Sequence, residues 1–310
     1  MERSRELGIS RIGSYVPEGR RDNLALAAKF GLSEDFIRTK VGFLQTATKS
    51  AQEDTSDLCL KAFRDLKSKI EIDESTLDLI VVVTQTPDGH GVPHTSAILH
   101  HKMNLPTSCF AFDISLACSG YVAALAAVKG FLAVTGGTRA LLFTADPYSK
   151  VVDVNDRDTV LIFGDAAAVS LIEPTEQWQM VGFDLGTEAK WCDALVVNGS
   201  GKLAMNGRAV FNFSALTVPG SVDRALRLVG LSTGQVDRFV LHPGSKYLID
   251  TLAKRIGFEP CHFEAAGYGN TGPSSIPMIL KDIDPSVAKT VLISGFGVGL
   301  SWATCVLRSS

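Results

Sequence analysis

Three residues of this 310-residue chain have types and surroundings that suit covalent chemistry: Cys118, His242 and Asn270. Cys118 stands in Phe112-Asp-Ile-Ser-Leu-Ala-Cys-Ser-Gly-Tyr121, where a β run ends, small residues follow and an apolar helical stretch begins. A thiol at a helix start meets unpaired backbone N–H groups and the positive end of the helix dipole, which favour thiolate over thiol. Such a thiolate is a nucleophile for acyl transfer; a small buried Cys that fills space is the other reading of the same residue. His242 follows a β run in Phe239-Val-Leu-His-Pro-Gly-Ser245, at a strand-to-loop edge. Functional side chains gather at such edges, and so do hydrogen-bonded structural histidines. Asn270 lies in Gly267-Tyr-Gly-Asn-Thr-Gly-Pro-Ser-Ser275, a glycine-rich loop leading into a helix, where Asn is also an ordinary turn former. Together the three suit thioester chemistry. The thiolate takes an acyl group, and neutral His and Asn hydrogen-bond a carbonyl oxygen that becomes anionic.

These residues need a frame. Apolar β runs are read at 78–83, Phe110–Ile114, Ala140–Thr144, Val160–Phe163, Ala166–Ile172, Arg238–Leu241, Val291–Ser294 and Ser301–Leu307. Helical patterns lie between them at Asp54–Ile70, Ser119–Val134, Arg208–Val229, Ser245–Ile256 and Ser274–Lys281. The alternation predicts an α/β protein with largely parallel sheets. The order also looks two-fold. Each half closes on two β runs around a glycine turn, at Gly164-Asp165 and at Gly295–Gly299. Ser119–Val134 is apolar apart from Lys129, as expected of a helix covered on all sides.

The composition narrows the function classes. Thirty Lys plus Arg face 33 Asp plus Glu, apolar residues make up 45% and charged residues 20%. That excludes a disordered chain and a nucleic-acid binder with an overall basic surface. Mean hydropathy is +0.17. The uncharged stretch Thr290–Leu307 is interrupted by glycines and serines, so it reads as two buried strands and not as a membrane span. The first six residues hold no apolar segment, so no secretory signal is expected. The six cysteines (Cys59, Cys109, Cys118, Cys192, Cys261 and Cys305) form no CxxC pair, as expected of reduced thiols in a cytoplasmic protein. His90, His94, His100 and His101 cluster without HExxH spacing, His262 stands apart, and no metal site is expected.

Further motifs carry a family resemblance over essentially the whole chain. They are Gly13-Ser-Tyr-Val-Pro17, Ala111-Phe-Asp-Ile114 with Ala117-Cys-Ser-Gly120, and Asp156-Arg157 leading into Ile162-Phe-Gly-Asp-Ala166. With them stand His242, Tyr268-Gly-Asn-Thr271, Ser275-Ile-Pro277, Gly295-Phe-Gly-Val-Gly299 and Trp302. In order and spacing the chain resembles the β-ketoacyl-acyl-carrier-protein synthases of type III, condensing enzymes of the thiolase-like superfamily. The resemblance implies a five-layered αβαβα sandwich of two pseudo-duplicated halves, residues 1–173 with the Cys and 174–310 with the His and Asn. It implies that Cys118 is acylated by an acyl-CoA, and that His242 and Asn270 stabilise the enolate of a decarboxylating malonyl thioester. That thioester is carried by acyl carrier protein or by CoA. The backbone N–H groups of Cys118 and Val298 would form an oxyanion hole, and Phe296 would lend an apolar face that favours loss of CO₂. CoA thioesters are substrates, no cofactor is bound permanently, and the expected assembly is a homodimer in the cytoplasm, without membrane or nucleic-acid partners.

Several positions depart from the family pattern. Pro243-Gly244-Ser245 replaces Gln-Ala-Asn after the histidine, a sequence also similar to type III polyketide synthases, as is Gly295-Phe-Gly-Val-Gly-Leu300. Val298 replaces a glycine, and a positive φ there would strain the backbone. Phe36 and Lys40 align with the tryptophan and arginine that clamp CoA, and Arg157 matches the second CoA contact. Val92 stands where a larger Phe limits the acyl pocket across the dimer, so primers longer or bulkier than acetyl are expected to fit. Lys254 and Arg255 offer a docking face for an acidic carrier protein, or an ordinary solvated helix face. Two other functions fit the same resemblance: acyl transfer to a non-malonyl nucleophile, and a non-catalytic partner subunit of a heteromeric condensing enzyme.

Overall fold

The structure, a computed structural model, describes residues 6–258 and 263–310. Cys261 and His262 lie outside the described residues. The strands are β1 (Leu7–Tyr15), β2 (Gly19–Asp22), β3 (Gln45–Thr48), β4 (Leu79–Val83), β5 (Phe110–Ile114), β6 (Ala140–Ala145) and β7 (Ala167–Pro174). They continue with β8 (Gln179–Thr187), β9 (Leu195–Val197), β10 (Leu203–Met205), β11 (Arg238–Leu241), β12 (Thr290–Gly297) and β13 (Ser301–Arg308). The helices are α1 (Asn23–Lys29), α2 (Glu34–Phe36), α3 (Thr55–Lys67), α4 (Thr95–Met103) and α5 (Ala117–Thr135), then α6 (Arg157–Val160), α7 (Gly207–Leu228), α8 (Lys246–Ile256) and α9 (Ser275–Leu280).

Nine strands join in the order β11-β12-β13-β8-β1-β7-β6-β4-β5, and β2-β3 and β9-β10 form two small antiparallel two-stranded sheets. The same set of pairings occurs twice. In one half β1 pairs antiparallel with β7, β7 antiparallel with β6, and β6 parallel with β4. In the other, β8 pairs antiparallel with β13, β13 antiparallel with β12, and β12 parallel with β11. The halves meet where Gly8 of β1 pairs with Gln179 of β8. The sheet is therefore mixed, which corrects the expectation of largely parallel sheets. The last two strands of each half run antiparallel, a geometry that the helix-strand alternation alone does not reveal.

The layers follow from burial. Leu58, Ala62 and Leu66 of α3 pack on Ile80, Val82, Phe143 and Val169, one outer face. Val218, Val222 and Leu252 of α7 and α8 pack on Leu292 and Val306, the other outer face. Between the two sheet halves lies α5, whose Tyr121, Val122, Leu125 and Val128 meet Val81 and Leu142 on one side and Ile293 and Cys305 on the other, with Ile276 and Leu280 of α9 alongside. The result is the expected αβαβα sandwich. Apolar character all round α5 matches cover on all sides; it is long and apolar enough to cross a membrane, yet its residues form the middle layer. The stretch Thr290–Leu307 is the β12–β13 hairpin.

Val160–Phe163 is not a strand. Asp156 caps a short helical turn there: its carboxylate accepts from the Asp158 N–H at 3.1 Å and the Thr159 hydroxyl at 2.7 Å, and Val160 N–H donates to the Asp156 carbonyl at 2.9 Å. These local bonds satisfy the backbone before a strand can. Only Phe163 makes a β-bridge, to Asn270. β7 pairs with β6 as well as β1, and the connection from β6 to β7, residues 146–166, carries Asp146 and Tyr148 close to Cys118. The strands β1 and β8 were absent from the apolar runs because Gly, Ser, Arg and Asp interrupt them. Gly13 of β1 is required by packing, since a Cβ there would stand 2.5 Å from the Ala62 carbonyl oxygen of α3.

Candidate active site

Cys118 is the second residue of α5 and is 3% exposed. The residue before it, Ala117, has φ +44°, a left-handed conformation that a non-glycine residue adopts at a cost. That turn delivers the thiol from the end of β5 into the space between the halves. The end of β12 passes against it. A Cβ on Gly295 would stand 2.5 Å from the Cys118 carbonyl oxygen, and one on Gly297 would stand 2.9 Å from the Cys118 Cβ. Only glycines let the strand approach so closely. The backbone N–H groups of Cys118 and Val298 both favour negative charge on the sulfur.

Val298 keeps its place without the anticipated strain. Positive φ falls on its neighbours instead, Gly297 at +158° and Gly299 at +129°, and Val298 is not among the non-glycine residues with positive φ. The two flanking glycines absorb the turn, so the Val298 N–H reaches the sulfur from ordinary backbone.

His242 is 2% exposed, and its backbone N–H is tied to the Ser294 carbonyl of β12 at 2.9 Å. Its ring stands edge-on to Phe296, with centroids 5.8 Å apart and planes at 89°. Burial pushes its pKa down to about 3, so the imidazole is neutral at physiological pH. Among the described residues its Nδ1 has no hydrogen-bond partner, so none of their carboxylates orients the ring as in a Ser-His-Asp triad. Such a histidine serves as a neutral hydrogen-bonding group and is a weak base. Asn270 is also buried. Its backbone N–H donates to the Ile162 carbonyl at 2.8 Å and its carbonyl accepts from Gly164 at 2.9 Å. Its side-chain Oδ1 accepts from the Gly272 N–H at 2.9 Å, which leaves the amide nitrogen as the free donor end.

Cys118, His242, Asn270 and Phe296 line one cavity of about 180 Å³ with Gly297. Leu195, Met205, Val210, Phe211 and Leu248 form its apolar wall. Three residues far apart in sequence therefore converge, as the sequence implies. Polar groups are confined to one end of an otherwise apolar space, the pattern of a site for an apolar chain with a polar head.

The electrostatics reverse one expectation. Burial, with the nearby Asp146 charge, pushes the Cys118 thiol up to about 12. The N–H groups at the helix start and the Tyr148 hydroxyl act in the opposite direction but do not prevail. The resting group is a thiol. The helix-start argument was incomplete because it did not include the cost of burying an anion between two sheets.

The remaining predicted residues lie off the cavity. Phe36 is 41% exposed at the end of α2. Lys40 follows it, with its ammonium 4.3 Å from the centre of the Tyr247 ring. Tyr247 in turn stacks at 5.4 Å on Phe211, a cavity wall residue, which links Lys40 to the cavity rim. Arg157 is exposed on α6 and pairs with Asp158 at 3.3 Å. Val92 is 91% exposed, in the loop that leads to α4. Lys254 and Arg255 are exposed in the last turn of α8, but Arg255 donates to the Ala215 carbonyl of α7 at 2.7 Å and so is partly committed to packing. Of the clustered histidines, His94 caps α4 and accepts from the Ala97 N–H at 3.2 Å, and His100 contacts the Pro106 carbonyl. Among the described residues no group of three or more His, Cys, Asp or Glu is placed to hold a metal ion.

Sequence reasoning missed Asp146 and Tyr148. Asp146 is fully buried at the end of β6. Its Oδ1 accepts from the Gln85 N–H at 2.6 Å, the Thr86 N–H at 3.1 Å and the Thr84 hydroxyl at 3.1 Å. Burial nevertheless pushes its pKa up to about 6. An acid placed directly after a wholly buried, mostly apolar strand was the available signal, because ligands gather at the carboxyl ends of strands.

The likeness to known proteins runs through both halves. Residues 112–189 match the family described as 3-oxoacyl-[acyl-carrier-protein (ACP)] synthase III, and residues 226–309 match its C-terminal counterpart. A β-ketoacyl-[acyl-carrier-protein] synthase III of Streptococcus pneumoniae (strain Hungary19A-6) is 32% identical, covering 96% of this chain and 98% of that protein. The chain belongs to the β-ketoacyl-[acyl-carrier-protein] synthase III family. Solved structures agree. The Thermus thermophilus β-ketoacyl-[acyl carrier protein] synthase III superposes with a TM-score of 0.90 at 29% identity, covering 98% of this chain and 99% of that one. The priming β-ketosynthase of the R1128 polyketide biosynthetic pathway gives 0.89 at 25% identity, covering 100% and 98%. Within a synthase III of this family, the cavity containing Cys118, His242 and Asn270 is the candidate active site.

Proposed function

We propose that the chain is an acyltransferase that joins an acyl-CoA primer to a malonyl thioester by decarboxylative Claisen condensation. The observation that carries this reading is the convergence of Cys118, His242, Asn270 and Phe296 on one apolar cavity. In the first step the Cys118 sulfur attacks the acyl-CoA carbonyl, the acyl-sulfur bond to Cys118 forms, and CoA leaves, taking up the thiol proton. The N–H groups of Cys118 and Val298 receive the developing oxyanion. In the second step a malonyl thioester, on acyl carrier protein or on CoA, places its thioester oxygen between His242 and the Asn270 amide. Loss of CO₂ leaves an enolate, which those two donors stabilise, and the edge of Phe296 excludes water from the departing carboxylate. The carbanion attacks the acyl-Cys118 carbonyl, the 3-oxoacyl thioester departs, and the sulfur is reprotonated. A neutral His242 suits this role, because a cationic one would stabilise the malonyl carboxylate and oppose its loss.

The remaining assignments belong to the same proposal. Phe36, Lys40 and Arg157 hold the CoA nucleotide outside the cavity, and Lys254 with Arg255 meets the acidic carrier protein. No permanently bound cofactor is required. Two copies associate through the sheet edge formed by β5, where Phe110 is 54% exposed and stacks on Phe131 at 5.6 Å. Val92 then lies beside the acyl pocket across the dimer. The halves divide between residues 173 and 174, and the enzyme works in the cytoplasm.

Mass measurement of the intact protein across an acyl-CoA panel tests this reading. Acyl adducts on Cys118, absent in Cys118→Ala, and CO₂ release from a malonyl thioester are expected, with C4–C8 primers labelling faster than acetyl. Adducts without CO₂ release would assign acyl transfer to a different nucleophile. Absence of any adduct would leave a scaffold subunit.

A further inference from the structure

Tyr148 is 3% exposed, and among the described residues its hydroxyl meets no acceptor in good hydrogen-bond geometry. A buried hydroxyl without a partner costs stability, so a native fold that keeps one calls for an explanation. The ring cannot simply swing away. It packs on Phe163 with centroids 4.5 Å apart, and a Cβ on Gly272 would come within 2.9 Å of its Cε2 and 3.3 Å of its hydroxyl oxygen. Its backbone is held as well, because Asp165 accepts from the Ser149 N–H at 2.9 Å and the Lys150 N–H donates to Pro147 at 3.1 Å. The group that the hydroxyl faces is the Cys118 thiol. A neutral thiol is a weak acceptor, which accounts for a contact short of a full hydrogen bond in the resting enzyme. A thiolate is a strong acceptor, and catalytic hydrogen bonds commonly tighten only as charge develops.

We propose that Tyr148 is a further catalytic residue, whose hydroxyl donates a hydrogen bond to the Cys118 sulfur whenever that sulfur carries negative charge. This rests on Cys118 being the nucleophile. The charge appears twice, as the thiol proton is lost during attack on acyl-CoA and as the 3-oxoacyl product leaves the sulfur. Tyr148 keeps its proton in both steps, so no acid or base is consumed. The titratable groups around the sulfur are Tyr148 and Asp146 from the connection after β6 and His242 after β11. The Asp146 carboxylate opposes thiolate, and neutral His242 brings no charge to offset it. Burial first, and with it the Cys118 and Asp146 charges, raises the pKa of Tyr148 and keeps the phenol protonated as a donor.

The test is the rate at which iodoacetamide alkylates Cys118, followed on the Cys118 peptide by mass spectrometry over about pH 7–9, where the rate follows the thiolate fraction. Tyr148→Phe is expected to slow alkylation about tenfold at each pH, the loss of one charge-assisted hydrogen bond, without lowering Tm. Replacement of Tyr148 by 3-fluorotyrosine, a stronger donor of nearly the same shape, is expected to accelerate it. Rates unchanged in both variants, or a lower Tm in Tyr148→Phe with unchanged rates, would overturn the proposal in favour of a packing role. Alkylation needs no acyl substrate, so failure here is distinguishable from failure of Cys118 to accept acyl groups from acyl-CoA.

Discussion

Gly297 and Cys118 are in van der Waals contact across the two halves of the molecule. A Cβ on Gly297 would lie 2.9 Å from the Cys118 Cβ and 3.0 Å from its Sγ. One comes from the end of β12 and the other from the start of α5, so the position of the Cys118 sulfur depends on how the halves close on each other. Gly297→Ala is expected to displace the sulfur from the Val298 N–H. A misplacement on the order of 1 Å costs about a hundredfold in rate. Single-turnover acylation of Cys118 measures it, and circular dichroism checks that the fold is kept.

On the proposed mechanism, His242 and Asn270 serve the malonyl step and not acylation. His242→Ala and Asn270→Ala are each expected to lower CO₂ release from a malonyl thioester by about 10²–10³-fold, the usual effect of losing one oxyanion donor. Acylation of Cys118 should stay within a few-fold of wild type. Asn270→Asp refines the test, because it keeps an acceptor for the Gly272 N–H while removing the amide donor. Equal loss in Asn270→Asp and Asn270→Ala would assign the effect to the donor. Retained activity in Asn270→Asp would assign it to the turn.

Two buried groups give opposite acid responses. The folded-state pKa of His242 is about 3 against an ordinary 6.5, so the unfolded chain binds the proton first. Its contribution is complete above pH 6.5 and is lost as pH falls toward 3. The folded-state pKa of Asp146 is about 6 against an ordinary 3.8, so the native state binds that proton first. Its contribution is complete below pH 3.8 and is lost as pH rises through 6. Each group has a limiting slope of about 1.4 kcal/mol per pH unit. Urea melts between about pH 7 and 4 should show a shallower acid loss in His242→Gln and a steeper one in Asp146→Asn.

The proposed roles divide the surface cations between two substrates. Arg157→Ala is expected to raise KM for acyl-CoA several-fold with kcat unchanged, the sign of lost uniform binding. Lys254→Glu is expected to raise KM for malonyl-acyl carrier protein and leave that for malonyl-CoA unaltered. Steady-state kinetics with each substrate separates them. A parallel rise for both malonyl thioesters would remove Lys254 from the docking face.

Much of the site was legible in the sequence because each part has a local signal. Cys118 follows a strand and opens a helix, His242 follows a strand, and Asn270 sits in a glycine-rich turn, which places all three at element ends. Val160–Phe163 misled because its β-branched and aromatic residues look like a strand, while Asp156 caps a helical turn around them. The strands β1 and β8 stayed hidden because their glycines and polar residues serve close packing and sheet pairing, which no local pattern records.

By itself the sequence determined the alternation of elements, the all-round apolar helix at the centre and the three candidate residues that the fold brings together, since period, capping and residue type act over a few neighbours. Tertiary structure decided the mixed strand order, the seating of Cys118 against Gly297, and the charge state of the site. Burial sets that last property. A helix start alone favours thiolate, but enclosure between two sheets beside Asp146 holds Cys118 as a thiol and His242 as a neutral ring.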